Sequence, residues 1–162
     1  MEATAEWLAW LENSTLSAGM RQWVWFYPLI ETLHILGLAV FFGAVAMFDL
    51  RLLGCSRQIW VTDLAQHLLP WAYLSFVVVA ISGFLMFAMT ATEIGVNSAF
   101  QLKLLLILAA AINAVVFHLV PFRSVLQWNR GSKVPLAAQT IAAVSLVLWA
   151  AVIVCGRWIA YV

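Results

Sequence analysis

Charge is scarce in this chain. Of 162 residues, only 9% are Asp, Glu, Lys or Arg, and the net charge is +1. A soluble domain carries about 25%, so a water-facing surface of ordinary composition is excluded. So is the basic field that nucleic-acid binding requires. Cysteine is nearly absent: Cys55 and Cys155 are the only two, too few for a disulfide framework. The five methionines are scattered and make no thioether cluster of the kind a copper carrier uses. A basic leader is lacking too, because Glu2 and Glu6 stand in its place. The four prolines, Pro28, Pro70, Pro121 and Pro135, all fall at expected helix ends.

What remains is oil. Hydrophobic residues make up 65% of the chain and aromatics 14%. Runs of about 20 apolar residues span a bilayer as helices. The pattern predicts an all-α integral membrane four-helix bundle with spans at about 28–50, 69–91, 98–120 and 136–160. Residues 1–22 form a separate segment, and 23–162 the bundle. Within that segment EWLAWLE puts Trp7, Trp10 and Leu11 on one face, so a short amphipathic helix lies on the bilayer surface. Trp23, Trp25 and Tyr27 form an aromatic belt before the first span. The loop side carries Arg51, Arg57, Arg123, Arg130 and Lys133, against Arg21, Lys103 and Arg157 on the terminal side. By the positive-inside rule both termini face away from the cytoplasm. Asp49 and Arg51 are expected to pair at the end of the first span. Asn113, mid-span, is expected to bond across helices.

An ionisable group at membrane depth is costly and marks a functional site by default. The first span carries Glu31 and His34 one turn apart. At 1.5 Å per residue His34 lies roughly 9 Å below the terminal-side surface, and Lys103 on the third span roughly 7 Å below it. Arg157 and Glu31 share that layer, with Gly37 and Gly83 just inside it, where small residues let a flat ligand or a neighbouring helix approach. His67 and His118 belong to the loop side, and His118 is roughly 20 Å away in depth from His34. One iron cannot take both, so two sites are possible. His34 with Lys103 forms one and His118 with His67 the other, so the cofactor expected is one haem b, or two. Haem iron takes axial ligands from facing helices. Covalent c-type attachment is excluded, since no C-x-x-C-H occurs. Arg157 is placed to pair with a propionate, and Glu31 to orient His34.

LHILGLAVFFGAVAMFDLRLL resembles the first histidine helix of HemJ-type protoporphyrinogen oxidases. FQLKLLLILAAAINAVVFH resembles their later lysine-to-histidine helix. In that family a histidine and a lysine are associated with haem b, which implies His34 and Lys103. The four-span layout also resembles the membrane domain of CopD-type copper-resistance proteins. The E-x-x-H motif with DLRLLG after it resembles an uncharacterised group of bacterial inner-membrane proteins. The resemblance implies a b-type haem protein of the bacterial inner membrane. It would transfer electrons or oxidise a quinol or a porphyrinogen, in the bilayer, as a homo-oligomer or with a redox partner subunit. The alternatives are a CopD-like copper or small-solute transport module, with His34, His118 and Glu31 along a polar path, and a structural subunit of a larger complex.

Overall fold

The structure is a computed structural model that describes residues 2–161, with side chains described from residue 6. Its described residues are helical throughout, apart from short connections. α1 (Glu2–Glu12) and α2 (Thr15–Gln22) precede the long helices α3 (Phe26–Leu53) and α4 (Val61–Met89). A single turn, α5 (Ala91–Ile94), leads to α6 (Ser98–Leu119). A 3-10 segment (Pro121–Gln127) then precedes α7 (Leu136–Trp158). α3, α4, α6 and α7 are each long and apolar enough to cross a bilayer. The protein is therefore a multi-pass, four-helix membrane protein, and four crossings bring both ends to one face.

The helix ends have local causes. Ser14 caps α2 by accepting from the Ser17 amide, and Asn97 caps α6 by accepting from Ala99 and Phe100. α3 stops at Gly54, whose φ of 110° is the left-handed conformation glycine tolerates best. Gly54 and Cys55 N–H groups then donate to Arg51 and Leu50 carbonyls. α4 begins eight residues earlier than hydropathy places it, and Pro70 sits inside the helix rather than near its start. The polar stretch from Val61 to His67 is helical because its inward positions pack. Val61 and Ala65 are buried against Phe48, Leu52, Trp128 and Val134. Hydropathy reports where lipid ends, and here the helix continues past that point on tertiary packing.

α3 packs along α4, α6 along α7, and α3 against α7. α4 and α6 scarcely approach each other. Asn113 Nδ2 donates to the Ile141 carbonyl at 3.0 Å and ties α6 to α7, as expected of a mid-span amide. Phe41, Phe76 and Trp149 meet ring to ring mid-bundle, joining α3, α4 and α7.

α1 and α2 rest on the terminal end of the bundle. Leu8, rather than a tryptophan, is the side chain α1 buries (2% exposed), while Trp10 is 73% exposed. The Ser17 hydroxyl donates to Ala88 O at 3.0 Å, and Arg21 to Met89 O at 2.9 Å. Glu12 Oε2 accepts from the Thr92 hydroxyl at 2.6 Å and from its N–H at 2.8 Å. These two bonds, hydroxyl first, with Arg21 nearby, hold the Glu12 carboxyl below its ordinary 4.5. A depressed folded value means the contact contributes its full stability above the ordinary carboxylate range and loses it as pH falls through the folded value. Amide-exchange protection at Thr92 is expected to hold at neutral pH, decline only in acid, and be lost at every pH in Glu12→Ala.

Candidate cofactor site

His34 is held by α4. Its Nδ1 lies 2.9 Å from Ser82 Oγ. Ser82 Oγ is itself 2.6 Å from the Val78 carbonyl, so the hydroxyl proton is committed there. The Ser82 oxygen is left as an acceptor for the imidazole. Nδ1 must then carry the imidazole proton, and Nε2 carries the lone pair. This second-shell arrangement fixes ring angle and tautomer in histidines that ligate metals through Nε2. Two glycines make room for it. A side chain at Gly37 would start 2.9 Å from Val79 Cγ2, so Gly37 sets the close α3–α4 approach. A side chain at Gly83 would start 3.1 Å from His34 Cε1, so Gly83 gives the imidazole its seat.

The other helix pair supplies Lys103. Its Nζ lies 3.5 Å from where a side chain on Gly156 of α7 would begin, beside the buried Cys155. Among the described residues Lys103 donates no hydrogen bond and forms no ion pair. Glu31 is exposed. Ser82, not Glu31, orients His34. Arg157 is exposed, donates to Tyr161 Oη at 2.6 Å and lies over that ring.

The loop side departs further from expectation. Asp49 and Arg51 do not pair. Two residues apart on a helix, they point roughly 200° from one another. Asp49 turns toward Ser145 on α7 and keeps one oxygen unpartnered. Arg51, 2% exposed, donates through Nε to Ile59 O at 2.8 Å. Its Nη2 donates to the Arg57 and Asn129 carbonyls at 3.2 and 3.1 Å. It fastens both loops to the bundle. His118 faces Tyr73 at 3.4 Å, and His67 is exposed without a bond to His118. The side chain placed against His118 is therefore Tyr73.

Two clefts open at the terminal end. One of about 340 Å³ is lined by Glu93, Ile94, Asn97 and Ile159; the other, of about 420 Å³, by Trp23, Trp25, Pro28 and Thr32. Neither touches His34 or Lys103. Among the described residues, no three His, Cys, Asp or Glu side chains converge. Ser82 and Tyr73 are the polar partners that sequence reasoning missed. A serine followed by glycine inside an apolar span was the available signal for the first.

Residues 7–162 match the family of unknown function DUF6644. No curated protein matches the chain, and no solved structure does. The match covers nearly the whole sequence, so the chain belongs to that family.

Proposed function

We propose that this DUF6644 member is a b-type haem protein of the bacterial inner membrane, with both termini periplasmic and His34 as axial ligand. Its activity is electron transfer or oxidation of a lipid-soluble substrate. The observation that carries the reading is the Ser82-anchored imidazole. A histidine whose Nδ1 proton is spent, and whose Nε2 lone pair is free, is prepared to bind a metal.

The donor count favours haem over a bare ion. Protein-bound copper or zinc takes three or four side-chain donors. Haem iron brings four nitrogens of its own and asks one or two of the protein. A single prepared histidine fits the second case. Lys103, without a hydrogen bond among the described residues, is the group we assign as opposite ligand or propionate partner. Gly156 faces Lys103 and Gly83 faces His34, so a small residue stands against each candidate ligand. Bound there, haem supplies one-electron redox chemistry. The chain's own part is to orient His34, keep the layer dry and hold a counter-charge. The imidazole is half-buried and bordered by the lipid-facing Leu33 and Leu36, which suits a hydrophobic macrocycle with one edge in lipid.

Ser82→Ala tests the orienting bond. It removes the acceptor for Nδ1 and little else, since α3–α4 packing runs through Gly37. Haem affinity is expected to fall about 10- to 100-fold, the usual cost of losing such a partner, with little change in thermal stability. Haem titration of the apoprotein, followed by absorbance, measures this; wild-type affinity in the variant contradicts the assignment.

A further inference from the structure

We infer that Tyr73 and His118 form a second site, one for the headgroup of a lipid-soluble quinone entering from the bilayer between α4 and α6. The choice of a quinone rests on the redox reading above; the site itself rests on different residues.

The pair's chemistry follows from its bonds. His118 Nδ1 lies 2.8 Å from the Ala114 carbonyl, which can only accept, so Nδ1 donates. Nε2 is then an acceptor, and the atom facing it is Tyr73 Oη at 3.4 Å. That separation is long beside the 2.5–3.0 Å range typical of hydroxyl bonds. The link is weak, and a ligand can replace it with two shorter ones. Tyr73 is 59% exposed, and its surroundings along α4 are lipid-facing apolar residues. Phe117 and Phe122 stand beside the imidazole, with ring centroids at 5.5 and 5.6 Å.

Position adds to this. α4 and α6 scarcely approach in backbone. Phe87 stacks on Phe100 at 5.0 Å near the terminal end. Tyr73–His118, at the loop end, is the one side-chain hydrogen bond across the gap among the described residues. A polar donor and a polar acceptor thus sit side by side where the two helix backbones stand apart, next to aromatic rings.

The ligand that matches is a flat ring whose oxygen alternates between carbonyl and hydroxyl. Tyr73 donates to a quinone carbonyl, and His118 Nε2 accepts from a quinol hydroxyl. Both forms are held by one pair of side chains, while an isoprenoid tail stays in lipid.

The test is titration of decylubiquinone into the full-length protein in phosphatidylcholine nanodiscs, followed by tryptophan quenching. Saturable binding is expected, weakened about tenfold in both Tyr73→Phe and His118→Ala, as for loss of one hydrogen bond to the ligand, and unchanged in His34→Ala. Tyr73→Phe removes only a hydroxyl, so its result does not hinge on folding. Absence of saturable binding to wild type, or wild-type affinity in both variants, overturns the site. Equal weakening in His34→Ala overturns it as well, by placing the quinone elsewhere. Haem content is read on the same samples. Quinone binding without haem upholds this site and removes the His34 reading; haem without quinone binding does the reverse.

Discussion

Purified from haem-replete cells, His34→Ala is expected to carry less than about a tenth of the haem bound by wild type, because the iron loses the one protein nitrogen prepared to hold it. The pyridine haemochrome assay gives the haem-to-protein ratio directly. Stability separates this outcome from a merely structural role. Between membrane helices a side-chain hydrogen bond is worth about 0.6 kcal/mol, up to about 1.7. The His34–Ser82 bond is one such contact, so the variant should keep its fold and unfold only slightly earlier in detergent. A structural histidine gives the opposite pattern: the same small loss of stability, and a haem content unchanged from wild type.

Arg51→Met is expected to produce the largest loss of stability of any single change described, about 2–3 kcal/mol. The guanidinium is 2% exposed and donates to carbonyls in two separate loops, at Ile59, Arg57 and Asn129. Removing it strands the Ile59 carbonyl and takes one of two donors from the Arg57 and Asn129 carbonyls, which keep the Gly131 and Val61 N–H groups, near the point where Val61, Trp128 and Val134 pack. It also frees Asn129, whose side-chain oxygen accepts from the Thr62 N–H at 3.0 Å at the start of α4. Lysine should rescue little, since a single ammonium cannot reach donors spread over a planar fork. Thermal unfolding in detergent measures both variants. A shift of only a degree or two for Arg51→Met contradicts the account of the loop knot.

The two variants divide the molecule. On the proposed reading His34 serves a ligand at the terminal-side layer, while Arg51 serves the fold at the loop end. Haem loss in Arg51→Met should track unfolding, while haem loss in His34→Ala should not.

The spans were legible because lipid imposes a simple code: about 20 apolar residues per crossing. Their boundaries were less so where protein, not lipid, covers a helix. α4 reaches back to Val61 through polar sequence because Val61 and Ala65 are buried by other elements, which no hydropathy window registers. The Asp49–Arg51 pairing failed for a related reason. Opposite charges two residues apart suggest a pair, yet helix geometry sends them apart, and Arg51 instead donates to loop carbonyls that only the fold brings near. Around the candidate site, His34 stood out by its cost in lipid. Its partner did not, because a serine in a membrane helix is cheap and ordinarily bonds its own backbone, as Ser82 also does. Glu31 was the more visible candidate and proved exposed. Tyr73 carries no signal in the sequence alone; only the fold places His118 opposite it.

Absorption spectroscopy of the purified wild-type protein, oxidised and then reduced with dithionite, tests the central assignment most directly. A Soret band that shifts on reduction, with a b-type α band and a pyridine haemochrome ratio near one haem per chain, is the result expected. A colourless protein whose apo form also fails to take up added haemin would contradict it.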